Sequence, residues 1–322
     1  MAKLPKLELD REAWAAFVND CPGATFFHTP QWYEVWEAYD DYRIEAQLLR
    51  LPSGREVLLP LASKPMLGGL SRVYHSSPAG TYGGYLCREP LTAADRQQLY
   101  QHLCSFSTLL LQEAPLVPSV LAGQGGEEDF TQLIDLEGGG GVVANWSRNH
   151  RRSLKKGLAT DYHFRAAQSL EDWNAYFEMY QDNLERWGDR VMAIYNWPLF
   201  EILAQLPKTH CRLWLIEQEG RLASGAICFY FNQNVIPWHE ATLSAHLRLR
   251  PTFLLYYHVI QDAIQKGFRS YDFSPSAGIR GVIQFKEGFR AKPKAVPFLN
   301  WRSDSIKFID WMIRPFRKEK TL

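Results

Sequence analysis

Apolar residues bunch into three short runs over residues 213–217, 223–231 and 235–243, rich in Leu, Ile, Val and aromatic side chains. The breaks between them hold Glu219-Gly220 and Asn232-Gln233-Asn234, which suit tight turns, so the runs predict an antiparallel meander. Beyond Pro251 the spacing changes to that of a helix. It is expected to open at Pro251 or Thr252, run through Lys266 and stop at Gly267, with a short strand over 270–273.

The same reading predicts a helix over 11–20 and another over 30–39, with Thr29 as N-cap and Pro30 in the first turn. A hairpin follows, strand 43–51 and strand 56–63 about the turn Pro52-Ser53-Gly54. Residues 91–111 read as one helix capped by Thr92, and short strands are expected at 118–122 and 131–136. Residues 137–141, with four consecutive glycines, are the linker. After it come a basic helix at 148–156, a strand at 162–166, a helix at 170–187 capped by Ser169, and a helix at 198–206. Alternating helices and strands of this kind predict an α/β protein of the α+β type with mixed sheets. The boundaries are expected at 1–141, 142–294 and a terminal segment 295–322.

A chain of 322 residues has room for two cores. Its net charge of +1 spreads no general attraction for nucleic acid, so DNA is not an expected partner and any anion site must be local. Cys21, Cys87, Cys104, Cys211 and Cys228 are scattered without a CxxC pair, which argues against zinc or a disulfide framework. No run approaches the length of a membrane span and the first residues lack an apolar leader core, so a soluble, cytoplasmic protein is expected. The tail 306–317, with Trp311, Met312, Ile313 and Phe316 among cations, is expected to dock as a helix, peripheral membrane contact being the alternative. No Ser-His-Asp elbow, Walker loop, Rossmann fingerprint or HExxH pattern is present.

Four motifs carry a resemblance. Arg248-Leu249-Arg250-Pro251-Thr252-Phe253 stands between meander and helix, where GNAT N-acyltransferases have their pyrophosphate loop, but without that loop's glycines. Ser77-Pro78-Ala79-Gly80-Thr81-Tyr82-Gly83-Gly84, Arg148-Asn149-His150-Arg151-Arg152-Ser153-Leu154-Lys155-Lys156 and Phe285-Lys286-Glu287-Gly288-Phe289 follow, in family order, segments of the Fem-type branch. The chain therefore resembles Fem-type members of the GNAT superfamily, which include peptidoglycan-bridge aminoacyltransferases and acyltransferases encoded with polysaccharide and cellulose genes. The resemblance implies two tandem GNAT-like domains, the return of residues 295–302 to the first of them, and transfer of an acyl or aminoacyl group to an amine. It implies no bound cofactor; acyl-CoA or aminoacyl-tRNA would be the donor substrate. The acceptor would be a sugar-nucleotide or lipid-linked precursor of the cell envelope, peptidoglycan or exopolysaccharide.

Candidate residues follow from motif and chemistry together. Arg248, Arg250 and Thr252 at a helix N-terminus suit a phosphate-bearing donor, although a solvated basic loop has the same composition. Lys286, between two phenylalanines, is expected to hold a phosphate or orient an acyl carbonyl. Glu240 is the expected base, with His239 on the opposite strand face as its substitute, and Tyr256 or Tyr257 is a candidate acid for the leaving group. Tyr82 and Gly83 are candidate acceptor contacts, the alternative being a glycine-requiring turn. Arg148, Arg151, Arg152 and Lys155 share one helix face, either merely solvated or bound to tRNA phosphates or an anionic precursor. A non-catalytic protein holding a sugar nucleotide or glycan in the same cleft is the alternative function.

Overall fold

The computed structural model describes residues 4–313 apart from 125, 138, 140, 189–192 and 277. The residues after 313 in the expected tail, and two glycines of the expected linker, lie outside the described residues.

In chain order the elements begin β1 (Lys6–Leu7), α1 (Arg11–Asn19), α2 (Pro30–Tyr39), β2 (Arg43–Ile44), β3 (Gln47–Arg50), β4 (Glu56–Leu59), β5 (Ala62–Met66), β6 (Ser71–His75), β7 (Leu86–Cys87), α3 (Ala93–Leu103) and β8 (Thr108–Gln112). They continue with β9 (Phe130–Asp135), α4 (Arg148–Leu158), β10 (His163–Ala166), α5 (Leu170–Trp187), α6 (Trp197–Ala204), β11 (Cys211–Gln218), β12 (Arg221–Phe231) and β13 (Asn234–Thr242). Last come α7 (Pro251–Gln265), β14 (Ser270–Asp272), α8 (Arg280–Glu287), β15 (Lys292–Ala295), β16 (Phe298–Arg302) and α9 (Asp304–Ile313). The fold class is mixed α/β.

The chain divides into two compact units, Met1–Asp129 with Ala295–Leu322, and Phe130–Lys294. The division falls ahead of the glycine-rich segment because β9 hydrogen-bonds to β14 of the second unit (Ser270 opposite Asp135, Asp272 opposite Leu133). The first unit has two sheets, β1-β3-β4-β7 and β16-β8-β6-β5-β2, the latter completed by β16 running antiparallel to β8.

Three elements here differ from the sequence reading. The hairpin about 52–54 is β3–β4 alone; before and after it the chain passes to the other sheet as β2–β5. Pro60, with no N–H to give, stands where the second strand changes sheet. The single helix expected over 91–111 ends at Leu103, and its Leu-rich remainder becomes the buried strand β8. No strand forms at 118–122; instead Val120 and Leu121 donate their N–H groups to the buried Glu113 carboxylate (2.7 and 3.3 Å).

The second unit is built on one seven-stranded sheet, β10-β11-β12-β13-β14-β9-β15. β10 to β13 run antiparallel, and β14 lies parallel to β13. Residues 223–231 of β12 are all buried, since helices pack on both faces of the sheet, which is why that strand reads as a continuous apolar run. Ala226, Cys228 and Tyr230 share a core with Leu254, Leu255, Val259 and Ile260 of α7. On the other face Tyr176 of α5 rests on Gly225, where a Cβ would stand 2.9 Å from its ring carbons and from the Trp214 carbonyl oxygen. α5 itself starts as expected, at a Ser169–Asp172 capping box.

Gly225 thus sets how closely α5 lies on the sheet. Gly225→Ala is expected to cost about 1–3 kcal/mol by overpacking, seen as a lower urea midpoint at unchanged m-value. An unchanged midpoint would mean that Tyr176 can retreat without loss.

Candidate functional site

The parallel pairing of β13 with β14 covers only Asn234 opposite Ser270 and Val235 opposite Tyr271. Beyond it β13 carries a bulge, for Ile227 faces His239 and Cys228 faces Pro237, leaving Trp238 as the extra residue. β14 ends at Asp272 and turns at Ser274, whose φ of 61° is held by its N–H donating to the Asp272 carboxylate (2.8 Å). The strands therefore part, and two of the expected catalytic residues, Glu240 and Tyr256, meet beside the parting while the third, His239, does not.

Glu240 projects on the α7 side of β13, where Tyr256 donates its phenol proton to Oε1. Part of the residue reaches solvent while its carboxylate is hemmed in by protein, and this burial raises its pKa. The Tyr256 hydrogen bond and the positive charge of Lys286 pull the other way without reversing the direction. Burial, with the Glu240 charge alongside, lifts the Tyr256 pKa well above that of a free phenol, so its proton stays on the oxygen. Lys286 is buried at 6% exposure, and its ammonium donates to the carbonyls of Ser274 (2.7 Å) and Pro275 (3.3 Å). Glu240, Tyr256 and Lys286 come from a strand and two helices into one cluster.

Strand alternation sends His239 to the opposite face. The rings of Tyr176, Tyr180 and Phe200 surround it with centroids 5.7, 4.6 and 5.4 Å away, and the Tyr176 hydroxyl lies 2.7 Å from Nδ1. Burial depresses its pKa to about 3, so the ring stays neutral. His239 and Glu240 do not meet.

The turn before α7 is a 3-10 segment, Ser244–Leu249, followed by Arg250 in the left-handed region (φ 64°) as N-cap. Arg248 and Arg250 are exposed, and the Thr252 hydroxyl bonds that of Thr242 (3.0 Å). Pro251 has no N–H, and Phe253 gives its own to the Arg250 carbonyl (3.2 Å), which reduces the donors this helix end can offer a phosphate.

α4 presents Arg148, Arg151, Arg152, Lys155 and Lys156 to solvent while Leu154 and Gly157 are buried. Two contacts fix it. A Cβ on Gly157 would sit 3.2 Å from that of Leu254 on α7, and His150 donates from Nε2 to the Phe285 carbonyl on α8 (2.8 Å). Ser147 caps the helix and completes the His150 bonding at Nδ1 (3.1 Å). A Cβ on Gly288 would stand 2.0 Å from the His150 ring, which explains the glycine of the Phe-Lys-Glu-Gly-Phe segment. Sequence reasoning missed this anchor and the helix α8 itself; the three-residue Ser147–His150 spacing was the available signal. The Phe253, Tyr256, Phe273, Phe285 and Phe289 rings pack beside it.

In the first unit Tyr82 has no exposed surface. Gly83 donates to the Gln112 carbonyl (2.9 Å) and accepts from His28 (2.8 Å), and a Cβ there would lie 1.9 Å from the Ser76 carbonyl oxygen. Its backbone is committed within its own unit. Among the described residues no group of side chains could hold a metal, and no helix is long and apolar enough to cross a membrane.

Residues 144–287 match the family described as acetyltransferase (GNAT) domain. Among solved structures the chain is similar to FemX (TM-score 0.71, 11% identity, 96% of this chain and 100% of that one). It is also similar to L-PGS from Bacillus licheniformis (TM-score 0.54, 12% identity, 96% of each chain). A third likeness is to the C-terminal domain of a putative lysylphosphatidylglycerol synthetase from Agrobacterium fabrum (TM-score 0.55, 12% identity, 83% of this chain and 88% of that one). At such identities the structural likenesses speak for the fold. No curated protein matches the chain. The domain match and the likeness of fold thus place an acetyltransferase (GNAT) domain in the second unit, over residues 144–287.

Burial makes a pH prediction. His28 and His75 are lowered to about 4 and His239 to about 3, each mainly by desolvation, against 6.5 in the unfolded chain. Between those values the unfolded chain binds protons that the folded one refuses. The stabilisation is thus complete above pH 6.5 and is lost as pH falls toward 4 and then 3. Urea unfolding between pH 7 and 4.5 should show this fall, and His239→Phe should reduce its slope by about one proton. An unchanged slope would mean that His239 titrates normally.

Proposed function

We propose that the chain transfers an acyl or aminoacyl group from a thioester or tRNA ester to an amine of a cell-envelope precursor. The observation that carries this reading is the meeting of Glu240, Tyr256 and Lys286 where β13 leaves β14. The amine arrives neutral, and Glu240, with its raised pKa, takes the proton that the nitrogen sheds as the C–N bond forms. Addition to the donor carbonyl makes that bond and leaves a tetrahedral oxyanion. The Lys286 ammonium and backbone N–H groups at the parting stabilise that charge. Collapse breaks the bond to the thiol or ribose oxygen, and a proton returns to the leaving group through Glu240 and the Tyr256 phenol.

For the donor, the aminoacyl-tRNA ester fits better. The turn before α7 lacks glycine and offers few backbone donors for a pyrophosphate, with Arg248 and Arg250 at its rim. The exposed cations of α4 form a stripe on which a phosphodiester backbone can lie, Arg148 and Arg152 included. The neighbour named lysylphosphatidylglycerol synthetase makes, by that name, an aminoacylated lipid, and the motif resemblance to peptidoglycan-bridge enzymes points to a lipid-linked or nucleotide-linked amine as acceptor. The Tyr82–Gly83 loop then acts by shaping its unit, since its backbone is already bonded. A polysaccharide- or cellulose-cluster substrate has no observation of its own.

Incubation with labelled aminoacyl-tRNA and acyl-CoA pools and amine-bearing envelope precursors, followed by mass spectrometry, tests the reading. Glu240→Gln is expected to lower turnover by about 10²–10⁴-fold with little change in donor affinity. The acid limb of the rate profile should lie above the ordinary carboxylate range, because burial raises the Glu240 pKa. Binding of these pools without turnover would instead make the protein a glycan or nucleotide carrier.

Lys286→Ala is expected to weaken the transition state by about 1.5–3 kcal/mol, read as lower kcat/KM. Full activity in both variants would leave substrate positioning as the source of rate.

A further inference from the structure

On the far side of β12 from the parting, β10 and β11 meet α5 and α6 around a second concavity. A cavity of about 200 Å³ has Trp173, Leu213 and Trp214 in its lining, and an adjoining one of about 260 Å³ shares Trp173, Ala204 and Lys208 with it. Its walls are apolar, but its cations are not. Lys208, Arg212 and Lys266 line the first cavity, and the acid bound to them is Asp262, which takes Arg212 (3.2 Å) and Lys266. With Glu201 lining the adjoining cavity, three positive charges stand against two negative ones, an excess of one over an aromatic trough.

Arg212 is also fixed in advance. Its Nε donates to the Lys208 carbonyl (2.7 Å) and its guanidinium lies over the Tyr230 ring at 4.7 Å. Lys266 lies over Trp214 at 5.6 Å. Arg212 and Lys266, held in this way, lose little freedom when an anion arrives, while Lys208 stands exposed beside them. None of these residues takes part in the acyl-transfer cluster.

We propose that this trough is a binding site for a small anionic amphiphile, its alkyl body between Trp173 and Trp214 and its carboxylate or phosphate head at Lys208, Arg212 and Lys266. The site stands on its own geometry and does not depend on the donor or acceptor of the transfer reaction.

Calorimetric titration of the full chain with octanoate, octyl phosphate, octylamine and acetate tests it. Octanoate or octyl phosphate should bind at least tenfold more tightly than octylamine, which lacks the negative head, and than acetate, which lacks the tail. Which of the two anions binds better tells the head group. Lys208→Glu with Lys266→Glu should weaken binding at least tenfold, and Ala204→Phe, which fills the trough from α6, should do the same without touching a charge. Lys286→Ala should leave the affinity unchanged. Equal binding of octylamine and octanoate, an affinity indifferent to both the double charge reversal and Ala204→Phe, or loss of binding in Lys286→Ala would each overturn the proposal.

Discussion

A parallel pair of strands has to be held together by slanted hydrogen bonds, and β13 and β14 hold on for only two residue pairs. The cluster of Glu240, Tyr256 and Lys286 depends on what that short pairing leaves. The bulge at Trp238 re-aims β13, and Ser274 turns the other strand aside in a left-handed conformation fixed by Asp272. A continued ladder would have used up the backbone donors along this edge. Because it stops, the strand edge beyond the pairing is bordered by a carboxylate, a phenol and an ammonium, those of Glu240, Tyr256 and Lys286.

The electrostatics of that cluster are balanced rather than extreme. Desolvation pushes Glu240 toward the neutral form while Tyr256 and Lys286 favour the charged one. Lys286 does not stand alone in its buried position either, since two carbonyls accept from it. Removing either partner leaves the other charge in a poorer setting, so the two side chains are best regarded as one unit. His239, a neighbour in sequence, belongs to a different environment: aromatic, neutral and turned toward α5.

Much of this was legible in the chain. Caps and periodicity delimit α5 and α7, because Ser169 with Asp172, and Pro251 with Gly267, act locally. Alternation alone separates His239 from Glu240. The residues around 104–111 were misread because a leucine-rich run serves a buried strand as well as a helix, and tertiary burial decided. The passage of the chain between two sheets near Pro60 follows from pairings with β2 and β7, distant in sequence. α8 is short and contains Gly281, so local propensity gives it little support; it is held by Lys286 and by His150 reaching from α4. That tie joins the basic helix to the helix that carries Lys286, which no single motif reveals.

The first unit is made from both ends of the chain, with β16 laid along β8 from nearly two hundred residues downstream. Translation delivers the chain from its N-terminus, so β8 waits with an uncovered edge while the whole of the second unit is synthesised. The second unit, continuous from Phe130 to Lys294, has all its strands in hand before β16 leaves the ribosome. The order of completion is therefore the reverse of the order of synthesis. During that interval the uncovered edge of β8 is open to pairing with a wrong strand.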